Sequence, residues 1–195
     1  MVTKLLSKNQ VLHSKISRAT FMFFAIADFL KWCSNTQIDI VDFLDEIVSM
    51  FDKLIAKYQS LVKIKIINGV YMAAGGLFDV TKNQETEMID FAIDCIKWIK
   101  LHNKELNIEI NYKVGINTDG PIIAGILGHD KPFFDVYGDA VNVASRLCTS
   151  APINCIQISE DLKNNIPHGK YKLKRREKVF LKGKGECTTY IVCKR

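Results

Sequence analysis

Asn142 and Arg146 stand four residues apart in Asp139–Cys148, a segment that reads as a short helix. At that spacing both side chains project from one face. Arginine's planar fork of donors suits a phosphate or carboxylate better than a lysine does. Further along, Lys182 and Lys184 lie in the turn Lys182-Gly183-Lys184-Gly185, whose glycines let the backbone stay close while an ammonium reaches outward. These lysines close a basic stretch that also holds Lys170, Lys172, Lys174, Arg175, Arg176 and Lys178, with Glu177 as its single acid. Most of the stretch reads as a solvated strand face, and a polyphosphate ligand would need only one or two of its cations. No interleaved aromatic platform accompanies the charges, which argues against nucleic acid as the partner. His13, His102, His129 and His168 form no ligand cluster. The six cysteines (Cys33, Cys95, Cys148, Cys155, Cys187 and Cys193) include no Cys-x-x-Cys pair and read as reduced, structural thiols of a cytosolic protein.

These residues need a scaffold, and the composition supplies one. The chain has 195 residues, 48% hydrophobic and 25% charged, with a net charge of +6, a mix that fits a globular domain with a sizeable core. No apolar run reaches the length of a membrane-spanning helix, and the N-terminus lacks a signal-peptide layout. Any membrane anchor of a larger parent protein would therefore lie outside these residues. Residues 1–20 read as a polar lead-in segment and 21–195 as one domain. Phe21–Ala27 is a continuous apolar strand for the middle of a buried sheet. Ile38, Val41, Leu44, Val48, Phe51, Ile55 and Tyr58 recur at helical spacing. Val62–Ile67 and Val70–Ala74 flank Asn68-Gly69, a strong hairpin signal. A second helix is expected over Glu85–Leu101, and strands over Ile108–Ile116, Ile122–Leu127, Ile156–Ile158, Tyr171–Leu181 and Thr188–Val192. This order predicts an α+β domain built on a ferredoxin-like split β-α-β sandwich, one mainly antiparallel sheet backed by helices.

Three segments together resemble the class III adenylyl and guanylyl cyclase catalytic domain. They are Lys63-Ile64-Lys65-Ile66-Ile67-Asn68-Gly69-Val70-Tyr71-Met72, the run from Asp135-Val136-Tyr137-Gly138 through Asn142 to Arg146, and Lys182-Gly183-Lys184-Gly185 followed by Thr189-Tyr190. The resemblance covers about residues 21–193. Phe24-Ala25-Ile26-Ala27-Asp28-Phe29 and Met72-Ala73-Ala74-Gly75-Gly76-Leu77 are most similar to the metal-free second catalytic half of membrane adenylyl cyclases.

The resemblance implies a phosphorus–oxygen lyase that cyclises a nucleoside triphosphate with two Mg²⁺ or Mn²⁺ ions. In the family these ions sit on two aspartates, one at the end of the first strand and one in the hairpin. Here those places are read as Ile26 and Gly69, neither of which offers the oxygen that a hard cation requires. Asp28, two residues on, is read as a loop acid rather than a replacement ligand. The purine-contacting positions correspond to Lys65 and Asp135, a donor and acceptor pair that matches adenine, although a bare cross-sheet salt bridge is the alternative. Asn142 would orient the ribose, Arg146 would meet the α-phosphate, and Lys182, with Lys184 as the other candidate, would meet the terminal phosphates. The implied protein is half of a heterodimer that converts ATP to cyclic AMP. Its partner half, on the same or a separate polypeptide, carries the metal ions, and the whole is the cytoplasmic part of a larger membrane protein. The corresponding half of a guanylyl cyclase acting on GTP, or a catalytically silent regulatory half, are the alternatives. Thr118-Asp119-Gly120 is one residue longer than the usual family turn.

Overall fold

Alternation of apolar and polar faces decides how this chain layers, and a computed structural model shows the outcome for residues 13–29, 40–78, 83–128 and 131–193. Ile38, Cys33 and His129 lie outside the described residues. Ten strands and four helices are described: β1 (His13–Ile16), β2 (Ala19–Ile26), α1 (Ile40–Ile55), β3 (Leu61–Ile67), β4 (Val70–Gly75), α2 (Gln84–Leu106), β5 (Tyr112–Asp119), β6 (Ile122–Leu127), β7 (Phe133–Tyr137), α3 (Asp139–Ser150), β8 (Cys155–Ser159), α4 (Glu160–Asn164), β9 (Lys172–Leu181) and β10 (Gly185–Cys193).

Seven strands form one sheet in the order β3-β4-β2-β5-β8-β10-β9, antiparallel throughout except where β5 meets β8. The run β2-α1-β3-β4-α2-β5 is the expected split β-α-β core. A smaller sheet, β1-β6-β7, lies beside it. The polar segment His13–Ile16 becomes a strand because the apolar β6 offers it a hydrogen-bonding edge, which its own composition does not announce. Thr118 and Asp119, expected in a turn, instead complete β5 opposite Thr20 and Ala19 of β2.

The helices α1 and α2 cover one face of the large sheet. Phe51 of α1 sits at the centre of that core, edge-on to Phe24 at 5.0 Å and to Tyr71 at 5.3 Å. The other face carries Phe21, Met72, Ala74, Ile122, Ala124, Val136, Ala140 and Ala144. Helix α3 packs very close there, because Gly115 of β5 has no side chain. A Cβ on Gly115 would fall 2.0 Å from the backbone nitrogen of Cys148 and 2.4 Å from the carbonyl oxygen of Ala144. That contact, with Asn117 donating to the Ala140 carbonyl at 3.1 Å, fixes the helix that bears Asn142 and Arg146. The five described cysteines are free thiols, and burial pushes that of Cys148 up to about 11.

Candidate nucleotide site

Lys63 and Lys65 are two residues apart, so a regular strand would put both on one face. They point opposite ways. Lys63 pairs with Asp52 of α1, on the helix-covered face. Lys65 pairs with Asp135 of β7, on the other. The cause is a β-bulge between Lys63 and Lys65: Lys63 faces Ala73, Lys65 faces Met72, and Ile64 is the extra residue. Ile64 packs in the second core cluster, so it and Lys65 share one side.

The Lys65 ammonium donates to both carboxylate oxygens of Asp135, at 2.7 Å each. Asp135 is 8% exposed, and its Oδ1 also accepts the Val136 backbone N–H at 2.9 Å. A carboxylate this buried is expensive without partners, and these bonds supply them. Lys65 and Asp135 thus meet, as an ion pair joining the edge of the large sheet to the small one.

From Asp135 the chain runs through Gly138 directly into α3. Asn142 is exposed there and Arg146 half-buried on the same helix. The β9–β10 turn comes down on Arg146: a Cβ on Gly183 would lie 3.5 Å from Nη1 and 3.6 Å from Nη2 of its guanidinium. Under the turn, Val179 and Leu181 pack on Leu147 of α3. Lys182 is exposed on this turn. Lys184 is engaged, its ammonium 2.5 Å from Oδ2 of Asp139, and that carboxylate holds it above the usual lysine range. The structure therefore brings Arg146 together with the Lys182 turn, and Asn142 lies one helical turn before Arg146. Asp139 is the residue of this group that the sequence reading passed over. Its signal was its place as the first residue of α3, where an anion is favoured.

The expected metal positions read differently in three dimensions. Ile26 is not the residue that faces the site: its side chain belongs to the core under α1 and α2. Ala25 points the other way, as Phe23 does, and Phe23 packs with Met72 on the side where Lys65 lies. The position at the end of β2 is therefore Ala25. The correction follows from strand alternation, which a continuous apolar run hides. Ile26 donates its backbone N–H to the Gly69 carbonyl at 3.1 Å, so the strand end and the hairpin tip adjoin. Gly69 has φ +71°, and a Cβ on it would fall 2.7 Å from the Phe29 ring. Asp28 is exposed, with φ +51°. A methyl group, a glycine and an aromatic ring do not fit a divalent cation. Among the described residues, no group of three or more His, Cys, Asp or Glu could hold one.

Comparison with known proteins places this geometry. Residues 11–194 match the family described as the adenylate and guanylate cyclase catalytic domain. The chain is 30% identical over 186 residues to an adenylate cyclase of Mycobacterium tuberculosis, covering 95% of this chain and 41% of that protein. It is 33% identical over 159 residues to adenylate cyclase type 9 of Gallus gallus, covering 76% of this chain and 12% of that protein. Its backbone superposes on the guanylate cyclase domain of RhGC from Catenaria anguillulae, solved in complex with GTP, with a TM-score of 0.86 at 28% identity. That match covers 93% of this chain and 99% of the other. The chain thus spans less than half the length of these two adenylate cyclases. By sequence and by fold it belongs to the class III adenylate and guanylate cyclase catalytic domain family.

Proposed function

We propose that this chain is the purine-binding and transition-state-stabilising half of a heterodimeric adenylyl cyclase, which converts ATP to cyclic AMP, pyrophosphate and a proton. The observation that carries the reading is the asymmetry of its own site: Lys65, Asp135, Asn142, Arg146 and Lys182 are available, while Ala25 and Gly69 offer a cation no oxygen. Lys65 would donate to an adenine ring nitrogen, and Asp135 would accept from the exocyclic amine. Guanine presents the opposite pattern at its six-position. The pair meets at 2.7 Å here, so binding a purine requires the two side chains to part and exchange each other for the base edge.

Asn142 would orient the ribose so that its 3′-oxygen faces the α-phosphorus. As the new P–O bond forms and the bond to the pyrophosphate breaks, charge grows on the α-phosphate oxygens, where Arg146 stands as a fixed set of donors. Lys182 would neutralise the departing pyrophosphate. Two Mg²⁺ or Mn²⁺ ions, held by two aspartates of the partner half, would activate the hydroxyl. Such a partner lies on the same or a separate polypeptide, and a membrane enters only through parts beyond this domain.

Similarity to a guanylate cyclase domain in complex with GTP supports a second reading, the same half acting on GTP. One assay separates these readings: the pure chain and its mixture with a metal-binding half, each supplied with ATP or GTP. Cyclic AMP from the mixture alone is expected. Turnover by the pure chain defeats the half-site reading, and cyclic GMP as the main product defeats the choice of base. A mixture that binds nucleotide and turns over neither leaves a silent regulatory half.

A further inference from the structure

Arg146 and Lys184 face each other where α3 meets the β9–β10 turn, which also carries the exposed Lys182. Their mutual repulsion would push a flexible turn away from the helix. The turn nonetheless sits close, with the Gly183 backbone against the Arg146 guanidinium. What offsets the repulsion is Asp139, whose Oδ2 lies 2.5 Å from the Lys184 ammonium. Asp139 opens α3, so its charge is also favoured by the helix N-terminus. Arg146 disfavours a charged Lys184, Asp139 and more weakly Asp119 favour it, and the carboxylates prevail, Asp139 foremost. The apolar contacts of Val179 and Leu181 hold the strand ends, and the Lys184 N–H closes the turn on the Leu181 carbonyl at 2.9 Å. These contacts shape the hairpin itself, and the Asp139–Lys184 pair adds a tie from its tip to the start of α3.

We infer that Asp139 is a positioning residue: by holding Lys184 it keeps the β9–β10 turn, and with it Lys182, against Arg146. The inference rests on reading Arg146 and Lys182 as phosphate-contacting groups. It gives the two lysines of the turn separate tasks. Lys184 is committed to the helix, and Lys182 is left to meet an anion. Both partners of the pair are about half in solvent, at 40% and 51% exposure, so the pair adds little to global stability. Its effect lies in where it places a charge, and small misplacements of a catalytic group are costly.

The test uses the full chain mixed with a metal-binding half and supplied with ATP. Asp139→Asn is expected to lower kcat by about five- to tenfold with KM within about twofold, the pattern of an interaction made chiefly in the transition state. Lys184→Met should do the same, and the double variant should be no worse than either single one, because both break one contact. In the chain without its partner, ¹⁵N relaxation of the Gly183 and Gly185 amides should show the turn loosened in each variant.

An unchanged kcat for Asp139→Asn, or a turn as rigid as before, overturns the inference. So does a Lys184→Met far more damaging than Asp139→Asn, which would make Lys184 itself the phosphate contact. Arg146→Ala in the same mixture separates the two levels of the argument. If that variant keeps full activity, the site reading fails, and the relaxation measurement alone then decides the clamp.

Discussion

Two regions on one side of this molecule differ in what they offer a ligand. At the β3–β4 tip Gly69 closes against the Phe29 ring, and neither Gly69 nor Ala25 at the end of β2 offers a cation a side-chain oxygen. Where β7 enters α3, the chain presents Asp135 with Lys65, then Asn142, Arg146 and the Lys182 turn. Both regions belong to the same fold and one domain sequence. The proposed division of labour between halves accounts for both regions: one keeps its charged groups, and the other needs none.

The largest effect expected from this contrast is all or none. The pure chain with Mg²⁺ or Mn²⁺ should form no cyclic nucleotide, and a partner bearing both aspartates should restore turnover, followed by chromatography of the products. In that mixture Arg146→Ala should cut kcat by roughly 10²–10³-fold, the scale seen when a transition-state donor is removed.

The next attempt is to break the contrast by restoring the missing carboxylates. Ala25→Asp with Gly69→Asp in the pure chain should stay inactive and lose about 2–4 kcal/mol of stability, measured by denaturant unfolding. The loss has two sources: a side chain at φ +71° and a forced overlap with the Phe29 ring. Adding Phe29→Ala should recover part of the overlap cost, and cyclic nucleotide from the double variant without it would refute this packing argument.

Which parts of this contrast the sequence makes legible depends on how locally each is encoded. The hairpin is visible in Asn68-Gly69 because both residues take positive φ, the geometry that dipeptide favours. Apolar spacing marks a helix at α1 but misplaces its face: Phe43, Ile47, Phe51, Leu54 and Ile55 are buried, while Val41 is exposed and Tyr58 lies past its end. The Asn142–Arg146 spacing is kept on α3. Two features are hidden. Phe21–Ala27 is apolar at every position, so nothing in it tells which of Ala25 and Ile26 faces the site. The alternation of Lys63-Ile64-Lys65-Ile66 looks regular, and the bulge at Ile64 becomes visible only through the partners Asp52 and Asp135. The Asp139–Lys184 pair is likewise a long-range contact between residues that each look like ordinary surface charges.

A smaller effect tests the base. Lys65→Glu in the active mixture should reduce preference for ATP over GTP by roughly tenfold or more, since a mismatched polar group is left unpaired against the purine. It also removes the partner of the buried Asp135, so thermal unfolding is measured beside the kinetics. A variant that folds normally and keeps its preference would leave Lys65 with the ion pair as its whole role.

The smallest expected effect separates two neighbouring lysines. Lys63 is paired with Asp52 at the surface, both side chains 37% exposed, on the helix-covered face. Lys63→Met should change stability by about 0–1 kcal/mol, as exposed pairs do, and leave kcat and KM within about twofold. Tyr71 retains its own bond to Asp52 at 2.8 Å, so that carboxylate keeps a partner. Lys65→Met, two positions along, should raise KM for ATP several-fold in the same assay. Equal effects from the two variants would mean that the bulge at Ile64 does not direct one lysine to the core side and the other to the nucleotide.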